Sequence, residues 1–124
     1  MEEKFNRYVE EWSTEKAPFF VVDKPISREG IEMNMTPRLK EIIEKFGEIR
    51  LAVLFEDYKG YEKEAVGADL DVVAEYGKYV RKLALIAPTE SLIFQYKIKS
   101  PLIKGEVKYF NADEREDAIK WVNE

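Results

Sequence analysis

The sequence predicts a single α/β domain: a four- or five-stranded mixed sheet, largely parallel, packed with helices. Residues 49–55 (IRLAVLF) and 83–87 (LALIA) are almost unbroken apolar runs. They are too short for helices and suit strands covered on both faces. Around them, apolar residues recur at helical spacing between Gly and Pro stops, so strands alternate with helices as in a parallel sheet. No repeat, low-complexity tract or linker divides the 124 residues, so one domain spans 1–124. A chain of that size buries roughly two-thirds of its unfolded surface.

The elements follow in order. Phe5, Tyr8, Val9 and Trp12 fit one helical face, yet the same segment is rich in strand-forming residues, so residues 1–12 stay open between helix and strand. Residues 13–18 are turn-like and 19–23 (FFVVD) form a strand, so an antiparallel pair is expected over about 5–23. From 26 to 124, helix and strand alternate. Thr36 and Pro37 read as an N-cap and first helical residue ahead of Leu39, Ile42, Ile43 and Phe46, and Gly47 ends that helix. Tyr61, Ala65, Ala68, Val72 and Tyr76 line a second helix that stops at Gly77. Residues 106–110 are a third buried strand. Asn111 and Glu114 suit a capping box for a last helix burying Ala118, Ile119 and Val122. The strands are expected to bury Leu51, Val53, Leu54, Leu83, Leu85 and Ile86, with Leu54→Ala costing roughly 2–5 kcal/mol if that residue is fully covered.

Residues 91–104 (SLIFQYKIKSPLIK) stand apart. They interleave apolar residues with Lys97, Lys99 and Lys104 and hold no acid, in a chain of net charge −5. Leu92, Phe94, Tyr96 and Ile98 alternate as in a strand, but a crossover between parallel strands calls for a helix, and Thr89 suits an N-cap. We read a helix, with an edge strand as the alternative. Such a segment suits an anionic amphiphile or a membrane headgroup layer. It equally suits a core element whose lysine stems cover apolar surface.

Composition narrows the chemistry. With no His there is no imidazole base or ligand, and with no Cys no thiol nucleophile, disulfide or thiolate metal site. Catalysis would rest on carboxylates, Lys or Tyr, so the chain is read as non-enzymatic, with no catalytic residue, cofactor or metal. A pI near 5.0 argues against nucleic acid. There is no apolar span of membrane length, and the acidic start does not resemble a signal peptide, so a cytoplasmic protein is expected. The charged fraction of 36 % with a single Gln leans toward a thermophile, or equally a highly charged mesophile surface.

Residues 26–61 (ISREGIEMNMTPRLKEIIEKFGEIRLAVLFEDYKGY), the strand end LALIAP and the tail GEVKYFNADEREDAIKWV together resemble the SpoIIAA-like family, relatives of STAS domains. Ile26, Ser27, Glu29, Ile31, Pro37, Asp57, Phe110, Ala118 and Trp121 fall on the family's pattern, while Gly30 stands where it tends to place an acid. The resemblance covers about residues 20–124. It implies a mixed sheet and kinship with anti-sigma-factor antagonists and, more distantly, CRAL-TRIO lipid carriers. Antagonist activity implies a phosphorylatable Ser after the central strand. Here that loop, residues 56–61 (EDYKGY), has neither Ser nor Thr.

The candidate site is a ligand pocket or lid of Tyr58, Tyr61, Leu92, Phe94, Tyr96, Ile98 and Leu102, with Lys97, Lys99 and Lys104 facing a headgroup or anion. Tyr76 and Tyr79 are further pocket candidates, or fillers between helix and sheet, and Met33 and Met35 an adaptable apolar lip. Glu56 and Asp57 could hold a hard cation, but neighbours on an extended chain point apart, and a solvated turn is favoured. The expected function is a binding domain for a lipid or other apolar or anionic small molecule with peripheral membrane contact. The alternative is a regulatory module for a protein partner without the serine switch.

Overall fold

In the computed structural model, residues 7–23, 28–56 and 65–124 are described. The sheet runs β1-β2-β3-β4-β5 in chain order: β1 (Arg7–Tyr8), β2 (Phe19–Val22), β3 (Ile49–Phe55), β4 (Val80–Ile86) and β5 (Glu106–Phe110). β1 is antiparallel to β2, and every other pair is parallel. The sheet is therefore five-stranded and mixed, as the apolar runs predict.

Side-chain alternation divides the core into two layers. Phe20, Val22, Leu51, Val53, Leu83 and Leu85 face one way. There they meet Ile31, Leu39, Tyr76 and Leu92, carried by the helical segments from Arg28 to Leu102, and Ile103 just beyond them. Those segments include α1 (Arg28–Gly30), α2 (Thr36–Phe46), α3 (Ala65–Tyr76) and α4 (Glu90–Lys99). Phe19, Val21, Ala52, Ala84 and Ile86 face the other way, against Ala118 and Val122 of α5 (Arg115–Asn123). The small Ala52 and Ala84 fit where α5 crosses the central strands. At its end, Lys82 Nζ donates to the Trp121 carbonyl at 3.1 Å and Arg50 Nη1 to that of Val122 at 2.9 Å. Two cations on the sheet thus meet the carbonyl end of the helix, where its dipole favours positive charge; the Trp121 carbonyl also accepts the Glu124 N–H at 3.2 Å.

Several expectations are corrected. Leu54 is half-buried rather than core: it packs at the margin of the layer that α5 covers, whose centre is Val21, Ala52, Ala84 and Ile86. Tyr8 packs on Phe20 with ring centroids 5.8 Å apart, while Val9 buries among the opposite layer. Neighbours pointing to opposite faces have strand periodicity, which decides against a helix for residues 7–9. The chain then turns through a short 3₁₀ segment (Glu10–Trp12), and Trp12 meets Phe19 edge-on at 5.1 Å.

Thr36 is no N-cap. It has helical dihedrals inside a continuous run of α1, a wide π-turn (Ile31–Met35) and α2. Its backbone N–H and hydroxyl both donate to the Ile31 carbonyl, the hydroxyl at 2.9 Å. The widened turn accommodates Pro37, which lacks an N–H and crowds the preceding turn. Gly47 does end α2, in the left-handed region at φ 74. β4 begins at Val80 and stops at Ile86. Ala87 turns out of the sheet at φ 55, its N–H still donating to the Phe110 carbonyl at 2.8 Å.

Candidate functional site

The segment with conflicting periodicities folds as a helix. Thr89 caps α4, its hydroxyl oxygen accepting the Leu92 N–H at 3.2 Å. A parallel step from β4 to β5 needs a crossover, and the long-range connection overrides the local alternation. Winding the segment at 3.6 residues per turn splits the alternating set into two pairs. Leu92 and Tyr96 turn inward, Leu92 fully buried and Tyr96 packed on the core. Phe94 and Ile98 turn outward, exposed to 65 % and 63 %, and Leu102 in the following 3₁₀ turn (Ser100–Leu102) to 45 %.

α4 is therefore apolar on both sides. A surface helix needs one apolar stripe to reach its core, and the second stripe has no partner among the described residues. Lys97 and Lys104 are exposed beside it. Lys99 differs: it is half-buried, with its ammonium 5.2 Å from the centre of the Tyr96 ring. The nearest acids in sequence, Glu90 and Glu106, lie outside the stretch.

Behind α4 lies an apolar cavity of about 70 Å³. Leu51 and Val53 of β3 form part of its floor, Val72 and Tyr76 come from α3, and Tyr96 and Ile103 from the α4 side. Burial pushes the Tyr76 phenol above its usual range, so the group stays neutral there. A dry cavity of ~150 Å³ takes a benzene, so this one, at about half that, holds no acyl chain as it stands.

The sequence-predicted residues separate accordingly. Tyr76 and Tyr96 come together in the cavity wall. Leu92 is core, because its helical position points it at the sheet. Phe94, Ile98 and Leu102 face solvent with Lys97 and Lys104. Tyr79 lines a separate outer groove with Lys40 and Glu44. Met35 reaches the cavity, whereas Met33 is exposed. Tyr58, Tyr61 and Asp57 lie outside the described residues, and Glu56 is exposed. Val72, Val73 and Ile103 also line the cavity; their apolar character marks them as inward-facing but does not tell a cavity wall from packed core. Among the described residues there is no group of three carboxylates placed to hold a metal, and no helix long and apolar enough to cross a membrane.

A four-strand parallel sheet with an antiparallel edge and helices on both faces defines a single α/β domain. The SpoIIAA-like family profile matches residues 19–123, and the chain belongs to that family. Its structure is similar to that of an uncharacterized protein of the DUF3478 family with a SpoIIAA-like fold from Shewanella loihica PV-4. The TM-score is 0.64 at 23 % identity, over 86 % of this chain and 83 % of that one. No curated protein matches.

Proposed function

We propose that this chain is a non-enzymatic binding domain that docks through α4 on an anionic membrane surface, as a cytoplasmic peripheral protein. The outward pair Phe94 and Ile98, continued by Leu102 and flanked by Lys97 and Lys104, carries the reading. Apolar side chains entering the acyl boundary and lysines meeting lipid phosphates act together there. The small cavity favours docking on lipid over carrying it. A lipid or other apolar ligand inside would require α3 and α4 to part.

Liposome flotation tests this. Wild-type protein is expected to float with anionic vesicles. Changing Lys97, Lys99 and Lys104 together to Gln should weaken that binding by roughly 3 kcal/mol at most, at about 1 kcal/mol per lysine near the surface. Lys99, held over Tyr96, should contribute least. Salt should shrink the effect by screening. If the wild-type protein floats with neither anionic nor neutral vesicles, the reading goes.

Family membership favours a second reading, a regulatory module whose α4 face meets a protein partner. Its form lacks the serine switch, because residues 56–61 contain no Ser or Thr. Incubation with a STAS-directed serine kinase is expected to leave that loop unmodified. Stoichiometric phosphate on Ser91 or Ser27, with altered partner affinity, would restore a switch by another route.

A further inference from the structure

We propose that β5 is a self-association edge, on which a second copy of this chain lays its own β5 antiparallel about Val107. β5 ends the sheet, bonded to β4 on one side with no strand on the other among the described residues. The Phe110 carbonyl accepts the Ala87 N–H and so points toward β4. Alternation along the strand turns the backbone groups of Lys108 and Glu106 the same way, and those of Val107 and Tyr109 outward. The open edge thus presents regularly spaced donors and acceptors.

Edge strands are commonly guarded by charge. Here the exposed side chains, Glu106 and Lys108, have opposite signs two positions apart, and that pattern selects one register. Directly opposite residues of an antiparallel pair share a face, so the two-fold axis must pass through a residue. An axis at Glu106 or Lys108 would set like charges face to face. An axis at Val107 sets Glu106 opposite the second copy's Lys108, twice by symmetry. In that register Val107 meets its own counterpart as a hydrogen-bonded pair. Glu106 and Lys108 then occupy the non-hydrogen-bonded positions, where opposed side chains approach closest. The outward backbone groups and the charge pattern agree on the same axis.

Sedimentation equilibrium of the intact chain at low salt, across a concentration series, tests this. A reversible monomer–dimer equilibrium is expected. Glu106→Lys or Lys108→Glu alone should weaken it roughly tenfold or more, because two attractive pairs become repulsive. The double variant E106K/K108E should restore it. An equimolar mixture of the two single variants should form a mixed dimer at near wild-type strength. Both side chains are exposed, although the Lys108 ammonium stands 5.2 Å from the Phe110 ring centre and 5.8 Å from that of Trp121, so K108E gives up those contacts and circular dichroism checks that each variant folds. A wild-type chain that stays monomeric throughout, or a dimer indifferent to both single swaps, overturns the proposal.

Discussion

Leu85→Ala is expected to lose about 2–5 kcal/mol of folding stability, the range for emptying a fully buried leucine site. Leu85 is 0 % exposed in β4, with Val53 of β3 on one side and Tyr109 of β5 on the other. It packs in the layer that includes Tyr76, Leu92 and Ile103, so the truncation removes contacts to both sheet and helices. Neighbours pinned by strand pairing cannot collapse into the void, which places the cost above simple transfer of the lost atoms. Leu54→Ala should fall below that range because half-burial leaves part of the leucine in water already. Urea unfolding at unchanged slope measures both. Equal losses at the two sites, or a Leu85 loss near zero, would contradict the burial assigned to Leu85 and Leu54 on the two faces of the sheet.

That division marks where the sequence was legible. Continuous apolar runs identify β3 and β4 as buried, since a strand covered on both sides leaves no polar alternation. They cannot say how well each face is covered, because that depends on which helix crosses where. Leu54 carries the same local signal as Val53 and a different burial. Pro37 misled in a similar way: it marks a helix start locally, but the preceding π-turn absorbs it inside a longer helix. At α4 the sequence offered strand periodicity, and connectivity chose the helix. The outward pair at Phe94 and Ile98 appears only once that choice is made. The cavity was not legible either, since its wall is assembled from distant residues of ordinary apolar type.

Gly77→Ala should be the most damaging small change near the candidate site. A β-carbon there would fall far inside contact distance of the Leu102 carbonyl oxygen, a backbone atom that no rotamer change can move. The approach is fixed from the other side as well, because the Lys104 N–H donates to the Gly77 carbonyl at 3.0 Å. Relieving the clash means displacing residues 100–104. That segment carries Leu102 of the exposed stripe and Ile103, which is buried in the cavity wall. Overpacking of this kind costs about 1–3 kcal/mol, occasionally more. Hydrogen exchange should show lost protection at Lys104, while amides in β2 and β3 follow only the global change. Gly47→Ala separates this effect from the general cost of replacing a glycine. At φ 74 it meets no neighbour, so it should lose only the backbone preference, about 1 kcal/mol, and leave Lys104 protected. A Gly77→Ala chain with wild-type stability and an unchanged Lys104 amide would mean that the end of α4 is not held against α3 as the close approach requires.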